Sequence, residues 1–161
     1  MLTREQFLPH EMRIVAALRM QGASDEQVIV RVKSENLFQY PTERMVANRA
    51  TVCLRRLDAM VPTDAVCAAR GIDPKTAVEA ASSLTRLMAS GTPTQADQAI
   101  FYSMICRYDI VRELVLVEVG ERLQNFDYAF TAVDLNAFMT RFTTEYPDAA
   151  RWTEATVKRI K

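Results

Sequence analysis

Glycine and proline, the residues that most readily stop a helix, are few in this chain: four and six among 161. Most stand between segments in which apolar residues recur three and four apart, the period of a helix with one buried face. Alanine, Leu, Arg, Glu and Met fill those segments, and such side chains lose little freedom in a helix. No segment shows the strict alternation of a strand, and no internal repeat or low-complexity stretch is present. The expected class is all-α.

The first helix is predicted over about 10–21, where Met12, Val15, Ala16 and Leu18 share a face. Pro9 precedes it and Gly22 is a natural stop. The second begins at Ser24. Its hydroxyl and Gln27 have capping-box spacing, and Asp25 and Glu26 lie where the helix dipole favours anions. Val28, Ile29 and Val32 face inward, with Lys33 near the end and Asn36 as terminator. Pro41 holds Tyr40 extended, and Thr42 caps a third helix over about 43–60.

The run "VPTDAVCAARGIDP" reads as a subdomain boundary, and a helix follows over about 74–90. "SGTPT" at 90–94 reads as a linker. Two apolar runs, about 95–107 and 108–124, are expected to form the centre of a second lobe. Thr131 and Asp134 start another helix carrying Leu135, Phe138, Met139 and Phe142. A short last helix is capped by Thr153, with Trp152 packing it onto the bundle. The predicted architecture is a helix-turn-helix-like lobe of three helices (1–61) packed on a helical bundle lobe (62–161).

Chemistry that the chain lacks narrows its function. Its one histidine, His10, stands at a helix start, and no Gly-rich phosphate loop, zinc-protease motif or nucleophile elbow occurs. No enzyme activity, cofactor or metal is expected. Cys53, Cys67 and Cys106 are widely spaced and read as buried thiols of a reducing compartment. The N-terminus is too charged for a leader, and no apolar run reaches the ~18 residues of a membrane span. A cytoplasmic protein away from membranes is the expectation.

Charge is balanced overall, at 20 basic and 20 acidic residues, but not locally. From Arg31 to Arg56 six basic residues, Arg31, Lys33, Arg44, Arg49, Arg55 and Arg56, face two acids, Glu35 and Glu43. On the third helix Val46, Ala50, Cys53, Leu54 and Leu57 form one apolar stripe. Arg44, Asn48, Thr51 and Arg55 fall opposite it, and Arg49 and Arg56 flank it. Arginine pairs with guanine edges and phosphates, and Asn with adenine, so this face suits a nucleic-acid groove. The residues expected at such an interface are Arg31, Lys33, Thr42, Arg44, Asn48, Arg49, Thr51, Arg55 and Arg56. Tyr40 is a further candidate for a backbone phosphate, and Phe38 for a core plug. The competing reading is a solvated face of mixed charge. A break of seven residues, 36–42, is also longer than the usual turn of a helix-turn-helix.

The run "ENLFQYPTERMVANRATVCLRRLDAM" resembles the BrxA family of BREX (bacteriophage exclusion) defence systems. The matching features are Glu11 on an early helix, the motif Glu35-Asn36-Leu37-Phe38-Gln39, and a basic helix ending in Arg56-Leu57. Later agreement comes from "YDIVRELVLVEVGERL", with Arg112 and Glu113, and from a C-terminal segment with Phe138, Pro147, Trp152 and Thr153. The resemblance spans most of the chain. It implies an all-helical protein that binds duplex DNA through a helix-turn-helix-like lobe. It also implies a place beside a methyltransferase, a large ATPase and a phosphatase-like component. Family members usually continue past the last helix, whereas this chain stops at Lys161; a truncated chain and a tail that needs a partner to order are the two readings of its short last helix. The alternatives are an adaptor docking onto other defence components without nucleic acid, and an RNA-binding helical protein.

Overall fold

The computed structural model describes residues 7–160. The charged N-terminal residues 1–6, and Lys161, lie outside them. All regular structure among the described residues is helical, as the glycine-poor, helix-periodic sequence requires.

These residues form two compact units, 7–107 and 108–160. The first contains α1 (Pro9–Met20), α2 (Asp25–Ser34), α3 (Glu43–Asp58), α4 (Asp64–Arg70), α5 (Pro74–Ser90) and α6 (Pro93–Arg107). Helix α1 is central: it packs against α2, α3, α5 and α6. Its Met12, Val15 and Ala16 meet Val28 and Val32 of α2, Val46, Ala50, Cys53 and Leu54 of α3, and Met88, Ala99 and Ile100 of α5 and α6 in one core. Full burial of each such aliphatic side chain contributes about 1.5–3 kcal/mol, which is why one helix can organise four others.

Helix ends follow the sequence closely. Ser24 and Gln27 form the reciprocal capping box at α2. Thr42 accepts from the Met45 amide at α3, and Thr131 and Asp134 form a second capping box. Gly22, at φ 85°, ends α1 in the left-handed region, with the Ala23 amide reaching back to the Leu18 carbonyl.

The unit division falls after Arg107, not at 61/62. The "SGTPT" segment is a tight turn between α5 and α6, which pack on each other, rather than a linker. Gly91 makes that turn: a Cβ there would stand 2.5 Å from the Leu87 carbonyl oxygen. Helix α6 therefore joins the core of the first unit, and the apolar run after it does not continue it. Helix α4 sits inside the segment read as a subdomain boundary and buries Cys67. Cys53 and Cys67 are buried, as expected, and Cys106 is half-buried.

The second unit begins with α7 (Asp109–Arg112), passes without a break into a π-helical stretch (Glu113–Val119), and ends its first rod with α8 (Gly120–Gln124). A loop leads to α9 (Ala132–Glu145), a short 3₁₀ turn (Ala149–Arg151) and α10 (Glu154–Ile160). Phe138, Met139 and Phe142 of α9 are buried. The Phe142 ring stacks on Tyr146 at 4.2 Å and lies 5.9 Å from Trp152, so Trp152 packs the tail as expected. No helix among the described residues is long and apolar enough to cross a membrane.

Candidate nucleic-acid interface

Helix α3 is anchored by one seam and offers the opposite one to solvent. Val46, Ala50, Cys53, Leu54 and Leu57 are all buried, as the helical rotation predicts. Arg44, Asn48 and Arg55 on the other side are exposed. Steps of four, three and four residues keep them, with Thr51, in one row about 16 Å long. Arg44 and Arg55 make no ion pair with any described residue, so their charges remain uncompensated by the fold.

The other expected contact residues divide. Arg31 is exposed and pairs with Glu35 at 3.2 Å, while Lys33 pairs with Glu43 at 3.2 Å. Such exposed pairs are worth at most about 1 kcal/mol, and a polyanion can displace them. Thr42 is exposed, although its oxygen already caps α3. Thr51 is half-buried and donates its hydroxyl proton to the Ala47 carbonyl of its own helix, at 2.9 Å. Arg49 is half-buried and lies near enough to Tyr40 for its charge to act on that phenol.

Arg56 corrects the sequence reading. It was expected on an exposed flank, but it is 0% exposed, the largest fully buried side chain among the described residues, and donates to the Phe7 carbonyl at 2.9 Å. It lies next to Leu57 of the apolar stripe, and the chain preceding α1 gives it an acceptor there. A fully buried arginine that donates to a main-chain carbonyl serves the fold rather than a ligand.

The break before α3 is a built loop. Asn36 and Gln39 both take left-handed backbone, with φ of 41° and 57°. Asn36 ends α2 with the Leu37 amide bonded back to the Val32 carbonyl, and its side-chain amide grips Tyr40 twice. Asn36 Nδ2 donates to the Tyr40 carbonyl at 3.1 Å and Oδ1 accepts the Tyr40 amide at 3.2 Å. Phe38 turns into the core, as anticipated. Tyr40 does not face outward to a phosphate: its hydroxyl donates to the buried Glu11 carboxylate. That hydrogen bond, followed by burial and the Glu11 charge, raises the Tyr40 pKa above 10.0, with Arg49 acting in the opposite sense.

The motif residues scattered in sequence thus meet around one joint: Glu11 from α1, Asn36 and Phe38 from the loop, and Tyr40 just before α3. Sequence spacing alone did not pair Glu11 with Tyr40. The one available signal was an acid on the otherwise apolar inner side of α1. No group of His, Cys, Asp and Glu able to hold a metal occurs among the described residues.

No curated protein and no solved structure matches this chain. The BrxA family model matches residues 1–161. The chain belongs to the BrxA family, whose place is in BREX phage defence.

Proposed function

We propose that this chain is a non-enzymatic DNA-binding accessory of its BREX system, contacting duplex DNA through α3. The observation that supports this reading most is the α3 row. Two exposed arginines without ion-pair partners among the described residues stand about 16 Å apart, with Asn48 exposed between them. A helix enters a major groove about 12 Å wide, so arginines at the row's ends reach phosphates on either wall while Asn48 meets base edges. In this reading α2 and α3, joined by the rigid loop, form a helix-turn-helix-like pair with a long turn. Arg31 and Lys33 of α2 add phosphate contacts by exchanging their carboxylate partners. Other BREX components, a methyltransferase, an ATPase and a phosphatase-like protein, are the proposed protein partners.

The test is an anisotropy titration with a labelled duplex at ~50 mM and ~200 mM salt. Binding that weakens steeply with salt and vanishes in Arg44→Glu/Arg55→Glu supports the reading. Tight binding that survives the double reversal refutes the assigned face. Competition by structured RNA as strong as by duplex DNA would move the function to RNA, whose deep, narrow major groove excludes a helix.

A further inference from the structure

Helix α3 is tied near both of its ends to the chain around the start of α1. Near its C-terminal end Arg56 donates to the carbonyl of Phe7, two residues before α1 begins. Before its N-terminal end the Tyr40 hydroxyl donates to Glu11, in the first turn of α1. Glu11 is 7% exposed, and a carboxylate withdrawn from water that far is costly unless a donor meets it. Apolar side chains of the same shape stabilise a fold about as well as such a pair. What a hydrogen bond adds over apolar packing is direction.

The segment between α2 and α3 is built to the same end. Asn36 and Gln39 hold left-handed backbone, which residues other than glycine rarely adopt and which surrounding contacts must offset. The Gln39 amide donates to the Asn36 carbonyl at 2.9 Å, Asn36 binds the Tyr40 main chain twice, and the Phe38 ring meets the Tyr40 ring edge-on at 6.3 Å. The element whose direction these contacts set is α3, which begins at Glu43. Arg31 and Lys33 stand on α2, and Arg44, Asn48 and Arg55 on α3. One stiff duplex meets both sets only at one angle between the two helices. Holding that angle beforehand removes the cost of ordering from the association step.

We propose that Glu11 and Tyr40 are positioning residues for duplex binding. Their hydrogen bond keeps α3 in the orientation, relative to α2, at which both sets of side chains meet one duplex. This positioning role rests on the DNA-binding reading, and it belongs to two side chains that touch no nucleic acid.

The experiment is an anisotropy titration of a labelled duplex, at several salt concentrations from ~50 mM to ~200 mM, with chains that circular dichroism shows to be folded. Tyr40→Phe and Glu11→Leu bind about three- to tenfold more weakly than the natural chain, as when roughly a third to a tenth of chains hold α3 at the competent angle. Their salt slopes equal that of the natural chain, because the bound state keeps the same phosphate contacts. Glu11→Leu removes an acid, which by charge alone would tighten binding to a polyanion, so its weakening has the sign of positioning and not of electrostatics. Glu11→Gln keeps an acceptor for the hydroxyl and retains affinity within about twofold. Met88→Ala, a buried change on α5 outside the α2–α3 segment, destabilises the same unit and binds like the natural chain.

Equal affinity in Tyr40→Phe and the natural chain overturns the proposal. So does a lowered salt slope in Tyr40→Phe, which would make the hydroxyl a phosphate contact, or an equal loss in Met88→Ala, which would make the effect one of stability alone. Tyr40→Phe loses a single oxygen atom and decides the matter where Glu11→Leu folds poorly. Binding unmoved by Tyr40→Phe but abolished in Arg44→Glu/Arg55→Glu refutes the positioning role and leaves the DNA reading standing. A natural chain that binds no duplex refutes both.

Discussion

The Tyr40 hydroxyl donates a hydrogen bond to the carboxylate of Glu11, 29 residues earlier. It ties the residue that precedes the Pro41 turn to the first turn of the central helix. The start of α3, and with it the direction of Arg44, is therefore set from α1 as well as from α2. Glu11 is a buried carboxylate, 7% exposed, and would be costly without a donor.

Tyr40→Phe removes that donor while keeping the ring. A loss of about 1–3 kcal/mol is expected in urea unfolding, since a buried acceptor is left unmet. Because the folded-state pKa of Tyr40 is raised, its contribution is fully present below pH 10 and is lost as pH rises through the raised value. Tyr102 and Tyr146 are also raised, so Tyr40→Phe should remove one of several late-ionising phenols from the alkaline absorbance titration. A pH-independent stability difference between Tyr40→Phe and the natural chain, persisting through the alkaline range, would count against the bond.

Asn36 is the loop's other anchor, and its two roles separate. Asn36→Gly keeps access to the left-handed backbone but drops the grip on Tyr40; Asn36→Ala loses both. The alanine variant should be the less stable of the two, by up to about 1 kcal/mol. Equal unfolding midpoints would show that the backbone conformation at 36 carries no cost.

Neighbouring arginines should behave oppositely. Arg56→Ala leaves a cavity and an unmet Phe7 carbonyl, and about 2–4 kcal/mol of stability should be lost. Arg55→Ala should change stability by less than about 0.5 kcal/mol while weakening DNA binding and lowering the salt slope by about 1. Unfolding and anisotropy on the two variants check both statements, and a stability loss in Arg55→Ala would contradict its exposed position.

The α9 start should weaken in acid. Hydrogen bonds from the Thr131 hydroxyl and amide hold the Asp134 pKa below 3.8, with Arg122 adding to the shift. A lowered folded-state value means that the contribution is fully present above 3.8 and disappears as pH falls through the lowered value. Thr131→Ala should bring the Asp134 titration, followed by carboxyl NMR shifts, back toward 3.8. An unchanged midpoint in that variant would remove Thr131 as the cause.

Most helix boundaries were legible because they depend on neighbours in the chain. Ser24 with Gln27, Thr42, and Thr131 with Asp134 cap where their spacing says, and the α3 rotation sorts buried Val46 and Leu54 from exposed Arg44 and Arg55. Arg56 was misplaced because rotation fixes a residue's angle around its helix, not what lies beyond it. The unit division was missed for a related reason: "SGTPT" looks like a linker locally, yet α1 gives α5 and α6 a common surface to bury.

The sequence by itself determined that this chain is helical, where most helices start and stop, and which row of α3 is polar. Those properties follow from propensity, capping and period, all of which act within a few residues. Only the tertiary structure decided that Arg56 is interior and that Tyr40 turns to Glu11. Each depends on a distant group supplying a carbonyl or a carboxylate, and no local pattern encodes which residues will be adjacent after folding.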